Sequence, residues 1–274
     1  MNRIYGTIFN NRVYLPDVLA SLEKLKPYKL YIVDNFSTDG SYEYLKTKKD
    51  VFIVQRHCKR GIGREIALKK LIREGNSNDI VFAMDFDSYF QPAFYNVIDW
   101  ASKELRDGDI ITFAEICRLS TARKLRWVNL NYGEDDEFNA HAYSILKGRK
   151  IFLADKKLIR INAGLRLNSV DNIKKNSRGI SLFGRGLQAV IESHQGIAYK
   201  NWGGEAKTPA IKLANVIGHL LAKFKGVYSY DEKYANNEYI RMAATHKLIV
   251  TRDDVVLKKG YQQTNKDIHL LSFK

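Results

Sequence analysis

The stretch DIVFAMDFDSYF, residues 79–90, joins a short apolar run to two aspartates that follow it directly. Because side chains alternate along an extended chain, Asp85 and Asp87 share one face of this segment, and Met84 and Phe86 share the other. Two carboxylates on one face repel each other unless a cation lies between them or water surrounds them. Carboxylate oxygens suit Mg²⁺ or Mn²⁺. The pair therefore indicates a divalent metal site at the end of a strand.

Apolar runs alternate with helical patterns throughout the first half of the chain. Four strands are predicted, at residues 3–9, 29–34, 51–55 and 79–85. Helices are predicted between them, at residues 14–25, in a short stretch within 37–47, and at 61–73. This alternation is typical of an α/β fold, with a single sheet of mainly parallel strands and helices on both faces. A nucleotide-binding crevice is expected at the carboxyl ends of the strands.

A second polar site follows the second predicted strand, in the stretch IVDNFSTDGSYEYL, residues 32–45. Asp34 ends that strand at the same edge of the sheet as Asp85, and its carboxylate can accept hydrogen bonds from a base N–H or a ribose hydroxyl. Residues 37–39 suit an Asx or Ser/Thr turn that caps the next helix.

Charge is distributed unevenly along the chain. The formal net charge is +15, from 45 Lys and Arg against 30 Asp and Glu. Residues 138–191 hold 11 Lys and Arg against only Asp155 and Asp171. This basic stretch predicts either attraction of phosphates, in nucleotides, lipids or nucleic acid, or a solvated basic surface. Four consecutive acids at 134–137 directly precede it.

Composition excludes several classes of protein. A chain of 274 residues that is 45% hydrophobic can bury a core, so wholesale disorder is excluded. Cys58 and Cys117 are too few for a disulfide scaffold and have no zinc-binding spacing. No window reaches the ~18 apolar residues of a membrane span, and no signal-peptide pattern is present. We therefore expect a cytoplasmic protein, with a peripheral position at the inner membrane face as the alternative.

Three motifs together resemble the family 2 inverting glycosyltransferases, which have the GT-A fold. VDNFSTDGS (33–41) is similar to the family's nucleotide-binding segment, FAMDFD (82–87) to its metal-binding DxD motif, and YGEDDEF (132–138) to its GED element. The resemblance covers roughly residues 3–162. It implies a hexosyltransferase-type enzyme that moves one sugar, with inversion, from a nucleoside diphosphate sugar to a hydroxyl on a glycan, lipid-linked or protein-linked acceptor.

The resemblance also implies a role for each acidic residue. Asp34 would contact the base or ribose of the donor, and Asp85 would serve the ribose and the metal-bound diphosphate. Asp85 and Asp87 would hold Mg²⁺ or Mn²⁺, with Asp87 the more direct ligand. Asp135 would be the catalytic base, which deprotonates the acceptor hydroxyl opposite the leaving diphosphate. Glu134 would position the acceptor.

Some segments depart from the family pattern. CKRGIGREIALKKL (58–71) matches the family's NxGxxxARN segment only loosely, but its glycines allow backbone to approach a ligand at a helix N-terminus. Arg60 or Arg64 could reach a phosphate or base there, and we assign nucleotide-sugar binding to Arg64. Where many relatives have a third metal ligand, a histidine, this chain offers Asn162, with His194 as a substitute. The QxxRW element of processive synthases is absent downstream of GED, which favours transfer of a single sugar.

The sequence predicts one compact unit. Its catalytic domain would span residues 1–200, with a donor half to about 116 and an acceptor half after it, and a helical extension would span 201–274. An amphipathic helix at 208–224 would pack on the catalytic domain or dock on an anionic membrane to reach a lipid-linked acceptor. A second helix is expected at 231–247 and a strand at 253–259.

Two other functions are alternatives at this stage. A nucleotidyltransferase shares the sheet and the carboxylate pair, and would use a sugar phosphate and a nucleoside triphosphate. A non-catalytic binder of polyanions or nucleic acid would use the basic stretch, and its binding should fall steeply with salt and survive loss of Asp135. No helix-turn-helix, zinc-finger or RNP pattern occurs, so we expect no nucleic-acid partner.

Overall fold

The computed structural model describes residues 1–111, 114–131, 134–153, 160–161, 217, 255–259 and 268–273. The strands are β1 (Asn2–Ile8), β2 (Tyr28–Asp34), β3 (Val51–Gln55), β4 (Ile80–Ala83), β5 (Tyr89–Phe90), β6 (Ile110–Ile111), β7 (Ile116–Arg118), β8 (Lys150–Leu153), β9 (Arg160–Ile161), β10 (Val255–Lys259) and β11 (Ile268–Phe273). The α-helices are α1 (Leu15–Leu22), α2 (Ser41–Lys46), α3 (Arg60–Glu74), α4 (Pro92–Glu104), α5 (Leu119–Ala122) and α6 (Glu134–Ile145), and a 3₁₀ turn, Glu23–Leu25, follows α1.

Nine strands form one sheet, in the order β10-β11-β8-β6-β7-β4-β1-β2-β3. Its centre is parallel, because β1 pairs in parallel with both β2 and β4, and β2 with β3. Strand β7 is antiparallel to its neighbours β4 and β6, while β8 is parallel to β6 and β11. Strands β5 and β9 form a separate antiparallel pair. The predicted α/β fold with a mainly parallel sheet is confirmed.

Alternate residues of the central strands build two apolar cores. On one face, Ile4 and Phe82 pack with residues of α1 and α4. On the other face, Tyr5 and Val81 pack with residues of α3 and α6. Each large apolar side chain buried in this way contributes about 1.5–3 kcal/mol. Helices therefore cover both faces, as predicted. Of the predicted site residues, Asp34 ends β2, Asp85 and Asp87 follow β4, Arg64 lies in α3, and Glu134 and Asp135 begin α6.

The four strands predicted in the first half are β1 to β4, and the three predicted helices are α1 to α3. Strand β7 was not predicted, because three residues carry too little periodicity to show a strand. It lies next to β4 and thereby brings the segment that leads to α6 beside the centre of the sheet.

Two strands come from the segment expected to be a helical extension. β10 agrees with the strand predicted at 253–259, and β11, which was not predicted, pairs in parallel with β8 and joins this end of the chain to the main sheet. The helices predicted at 208–224 and 231–247 lie outside the described residues, apart from Ile217, which is helical. The division of the chain near residues 116 and 200 stays a prediction.

Neither cysteine forms a disulfide: Cys58 and the buried Cys117 are both free thiols. Across the part of the chain that the structure describes, no helix has the length and apolarity needed to cross a bilayer.

Candidate active site

The two aspartates of the DxD motif lie at the carboxyl end of β4. Met84 and Phe86 are buried, with 2% and 1% of their surface exposed, whereas the side chain of Asp85 is 26% exposed. Burial thus alternates from Met84 to Phe86, although the chain turns after Asp85, where the N–H of Ser88 donates to the Asp85 carbonyl oxygen at 3.2 Å. Gly6 on β1 allows this segment to pass close by, since a Cβ there would lie 2.2 Å from the carbonyl oxygen of Met84.

Arg64, near the start of α3, connects this strand end to the start of α6. Its Nη2 donates a hydrogen bond to Asp85 Oδ1 at 2.6 Å, and its Nη1 donates to Asp135 Oδ1 at 2.9 Å. Nη1 also lies 3.3 Å from Glu134 Oε1. The guanidinium is only 4% exposed and serves three carboxylates. Residues predicted from three separate segments therefore meet at one buried cation.

The start of α3 packs directly against the chain that leads to α6. The N–H of Gly61 donates to the carbonyl oxygen of Leu130 at 2.8 Å, and the N–H of Arg60 donates to Asn131 Oδ1 at 3.0 Å. A Cβ at Gly61 would lie 1.9 Å from the carbonyl oxygen of Val128. The sequence predicted that a ligand approaches the backbone at Gly61. In the structure the backbone of Val128 and Leu130 lies there instead.

The Arg64 guanidinium packs over the ring of Trp127. The guanidinium carbon lies 4.6 Å from the centre of the indole ring, within the range of a cation–π contact. The indole Nε1–H donates to the Tyr5 hydroxyl at 3.0 Å, and the ring stacks on Phe138 of α6 at a centroid distance of 4.2 Å. Trp127 therefore links β1, α3 and α6. Sequence reasoning missed this role, because no motif includes the residue.

The two acids that open α6 differ in exposure and in pKa. Glu134 is 1% exposed, and Arg60 Nη1 donates to its Oε1 at 3.0 Å. Burial, together with the neighbouring Asp135 charge, raises the pKa of Glu134 to about 8, against the opposing effect of the two arginines. Any role of Glu134 in positioning an acceptor would therefore act through Arg60 and Arg64.

Asp135 reaches solvent, with 52% of its side chain exposed. Desolvation by the site acts to raise the pKa of its carboxyl, but the adjacent Arg64 charge outweighs that effect and holds the pKa below the usual value. Asp135 is therefore ionised at neutral pH and accessible, which are the two properties that a general base needs.

Glu115 and Asn139 form a buried polar pair behind this acid. Asn139 Nδ2 donates to the backbone oxygen of Asp135 at 2.8 Å and to Glu115 Oε1 at 3.2 Å. Glu115 is 6% exposed and has a positive φ of 47°, and burial raises the pKa of its carboxyl to about 7. The pair anchors the first turn of α6. Neither residue was predicted, because each is an isolated polar residue outside the three motifs.

Asp34 lies at the end of β2 and is fully buried. Its carboxylate accepts hydrogen bonds from the N–H and hydroxyl of Ser37, and from Gln55 Nε2 at 2.9 Å. The contact of Asp34 with a donor base or ribose stays a prediction.

The predicted turn after β2 is present. Asp39 Oδ1 accepts from the N–H and hydroxyl of Ser41, and its Oδ2 accepts from the N–H of Arg12 at 2.8 Å. The N-cap position of α2 is occupied by Gly40, at φ 83°, rather than by one of the polar side chains.

Asp85 and Asp87 have the chemistry of a magnesium or manganese site. Mg²⁺ in enzymes that handle nucleotides is usually held by one or two carboxylates, together with substrate phosphates and water. Among the described residues, no group of three or more His, Cys, Asp or Glu side chains could hold a metal. Asp85 and Asp87 are the residues that would hold such an ion, and metal binding here stays a prediction. Asn162 and His194 lie outside the described residues.

A mainly parallel sheet, an aspartate pair after its fourth strand and a helix that begins with Glu-Asp agree with the GT-A fold that the resemblance implies. The family model described as "Glycosyl transferase family 2" matches residues 7–172. The chain therefore belongs to glycosyltransferase family 2.

Solved structures that are similar to the chain include two of S. aureus TarS. The crystal structure of S. aureus TarS 1–349 is 15% identical, with 84% of this chain and 93% of that chain covered and a TM-score of 0.48. A longer crystal structure of S. aureus TarS is 14% identical, with 100% of this chain and 60% of that chain covered and a TM-score of 0.46. A comparison with curated protein sequences gives no match.

Proposed function

We propose that the protein is a metal-dependent, inverting, hexosyltransferase-type glycosyltransferase. It transfers a single sugar from a nucleoside diphosphate sugar to a hydroxyl on a glycan, lipid-linked or protein-linked acceptor. The observation that supports the proposal is the guanidinium of Arg64, which binds both Asp85 and Asp135. We assign Asp85 to the donor side of the reaction and Asp135 to the acceptor side. In an inverting displacement the acceptor hydroxyl attacks the sugar carbon opposite the leaving diphosphate. The residues that serve the donor and those that serve the acceptor must therefore lie in one site.

In this proposal Asp135 removes the proton from the acceptor hydroxyl. It is the accessible carboxylate at the start of α6, and the Arg64 charge keeps it ionised. Glu134, buried behind it, fixes Arg60 and Arg64 rather than contacting the acceptor. Asp85 and Asp87 would hold the metal, which neutralises charge on the leaving diphosphate when it is bound.

Thermal unfolding with UDP, GDP, dTDP and CDP tests the donor class, each with Mn²⁺ and again with a chelator. A ligand at about 100 times its Kd adds about 2.7 kcal/mol of stability. We expect one nucleoside diphosphate to stabilise the protein only with metal. Sugar donors with that base are then screened for transfer by release of the diphosphate.

Two results would overturn the proposal. Stabilisation by polyanions without metal, and by no nucleotide, would indicate the non-catalytic binder. Turnover of a sugar phosphate with a nucleoside triphosphate would indicate a nucleotidyltransferase.

The cytoplasmic location also stays a prediction, as does membrane contact by residues 208–224, which sedimentation with anionic vesicles would test.

A further inference from the structure

We infer that Arg64 is the built-in counter-ion of this acidic site and competes with a free divalent cation for Asp85. The metal would then bind tightly only together with a diphosphate. The inference rests on the metal site of the proposed function, but its test needs neither a sugar donor nor an acceptor.

The first step of the argument is the contact between Arg64 and Asp85. At 2.6 Å it is the shortest of the three ion pairs that Arg64 makes at this site. A divalent ion on the same carboxylate would lie within about 7 Å of Nη2, since metal–oxygen bonds are about 2.1 Å long. Arg64 is only 4% exposed, and solvent ions screen a buried charge much less than an exposed one.

The second step is that Arg64 is held in place. Its guanidinium lies against the Trp127 ring, and that ring is fixed by the Tyr5 hydroxyl and by Phe138. Glu134 and Asp135 retain Nη1 even if a metal takes Asp85. The positive charge therefore stays beside the metal site instead of moving into solvent, and it continues to weaken metal binding.

The third step is the number of ligands. Asp85, which is paired with Arg64, and Asp87 belong to no group of three or more His, Cys, Asp or Glu side chains that could hold a metal, within the described part of the chain. A diphosphate adds both oxygen ligands and negative charge, and so offsets the repulsion by Arg64. Binding of metal and of diphosphate should therefore be strongly coupled, each increasing the affinity for the other.

The test is a titration with Mn²⁺ alone, in which electron paramagnetic resonance measures the free ion. We expect Arg64→Gln to bind Mn²⁺ at least about tenfold more tightly than the wild type, because a unit charge close to the metal is removed. Arg64→Lys, which keeps the charge, should stay near the wild type. Adding Asp87→Ala to Arg64→Gln should abolish the gain.

Arg149 provides the matched control. Its Nη2 lies 2.7 Å from Asp109 Oδ2, and its guanidinium carbon lies 5.9 Å from the ring centre of Trp100. An arginine, an aspartate and a tryptophan thus also meet here, away from the site. Arg149→Gln should leave the affinity for Mn²⁺ unchanged. An equal gain in both arginine variants would overturn the inference, as would unchanged or weaker Mn²⁺ binding by Arg64→Gln.

Arg64→Gln leaves Asp85, Glu134 and Asp135 without the cation that they share, so its folding is measured as well. We expect Mn²⁺ alone to raise the melting temperature of Arg64→Gln more than that of the wild type or of Arg149→Gln. If Arg64→Gln cannot be recovered at all, the wild type decides the question. The inference is then overturned if Mn²⁺ binds the wild type as tightly alone as it does with saturating UDP, GDP, dTDP and CDP, each tested separately.

Discussion

Arg64 Nη1 lies 2.9 Å from Asp135 Oδ1, and this ion pair joins α3 to the first turn of α6 across 71 residues of sequence. The same guanidinium holds Asp85 at 2.6 Å. Since the guanidinium is rigid and planar, the two carboxylates it binds are fixed relative to each other. A strand end and a helix start thereby become one site.

Asp135→Asn should abolish sugar transfer while donor binding stays nearly intact. The amide keeps the shape of the side chain but cannot accept the proton, and loss of a general base lowers the rate by about 10²–10⁴-fold. Diphosphate release measures the rate, and thermal unfolding with metal and nucleotide measures binding. Asp99→Asn, at an exposed position on α4, is the control and should transfer normally. Normal turnover by Asp135→Asn would show that Asp135 is not the general base.

Asp87→Ala should weaken metal-dependent binding of the donor. Loss of one carboxylate from a two-carboxylate site removes a ligand and a charge that the metal needs. The stabilisation that Mn²⁺ and the nucleoside diphosphate confer together should shrink, with little change in the unliganded protein. Unchanged stabilisation would place the metal elsewhere.

The strands β1 to β4 and the helices between them could be predicted because they are long enough to show a period. The DxD and GED segments could be singled out because their motifs are local, while the roles of their residues stay predictions. The contact of Arg64 with Asp135 could not, since it depends on the path of the chain through β7 and along the start of α3. The burial of Glu134 could not be predicted either, because an acid at a helix start suits solvent equally well.

Trp127→Phe should reduce turnover more than Trp100→Phe does. The phenyl ring keeps an aromatic face for Arg64 but loses the hydrogen bond to Tyr5, which leaves a buried hydroxyl short of a partner at about 1–3 kcal/mol. We expect lower kcat with little change in the KM for the donor, because Asp135 is displaced with Arg64. Equal effects of the two substitutions would show that Trp127 only supports the fold.

Glu74→Gln should destabilise the protein at pH 7, and the effect should shrink as pH falls towards 2. Hydrogen bonds from Lys29 and Lys70 lower the pKa of Glu74 to about 2. A lowered pKa stabilises the folded state above the unfolded value of about 4.3, and this stabilisation is lost as pH falls towards 2. Because the side chain is 29% exposed, we expect the substitution to lower the free energy of unfolding at pH 7 by only about 0.5–1 kcal/mol, as measured by urea unfolding. A difference as large at pH 2 as at pH 7 would contradict the prediction.

Glu115→Gln should have the opposite pH dependence. Burial raises the pKa of Glu115 to about 7, so its ionisation opposes folding. The loss of stability begins as pH rises above the unfolded value of about 4.3, grows until about pH 7, and is constant above that. The glutamine keeps an oxygen for Asn139 without the charge. The free energy of unfolding of the variant should therefore exceed that of the wild type by about 1–3 kcal/mol at pH 8 and equal it near pH 4. Urea unfolding at both pH values measures the difference. A variant less stable than the wild type at pH 8 would show that the charged Glu115 is favourably paired in the folded protein.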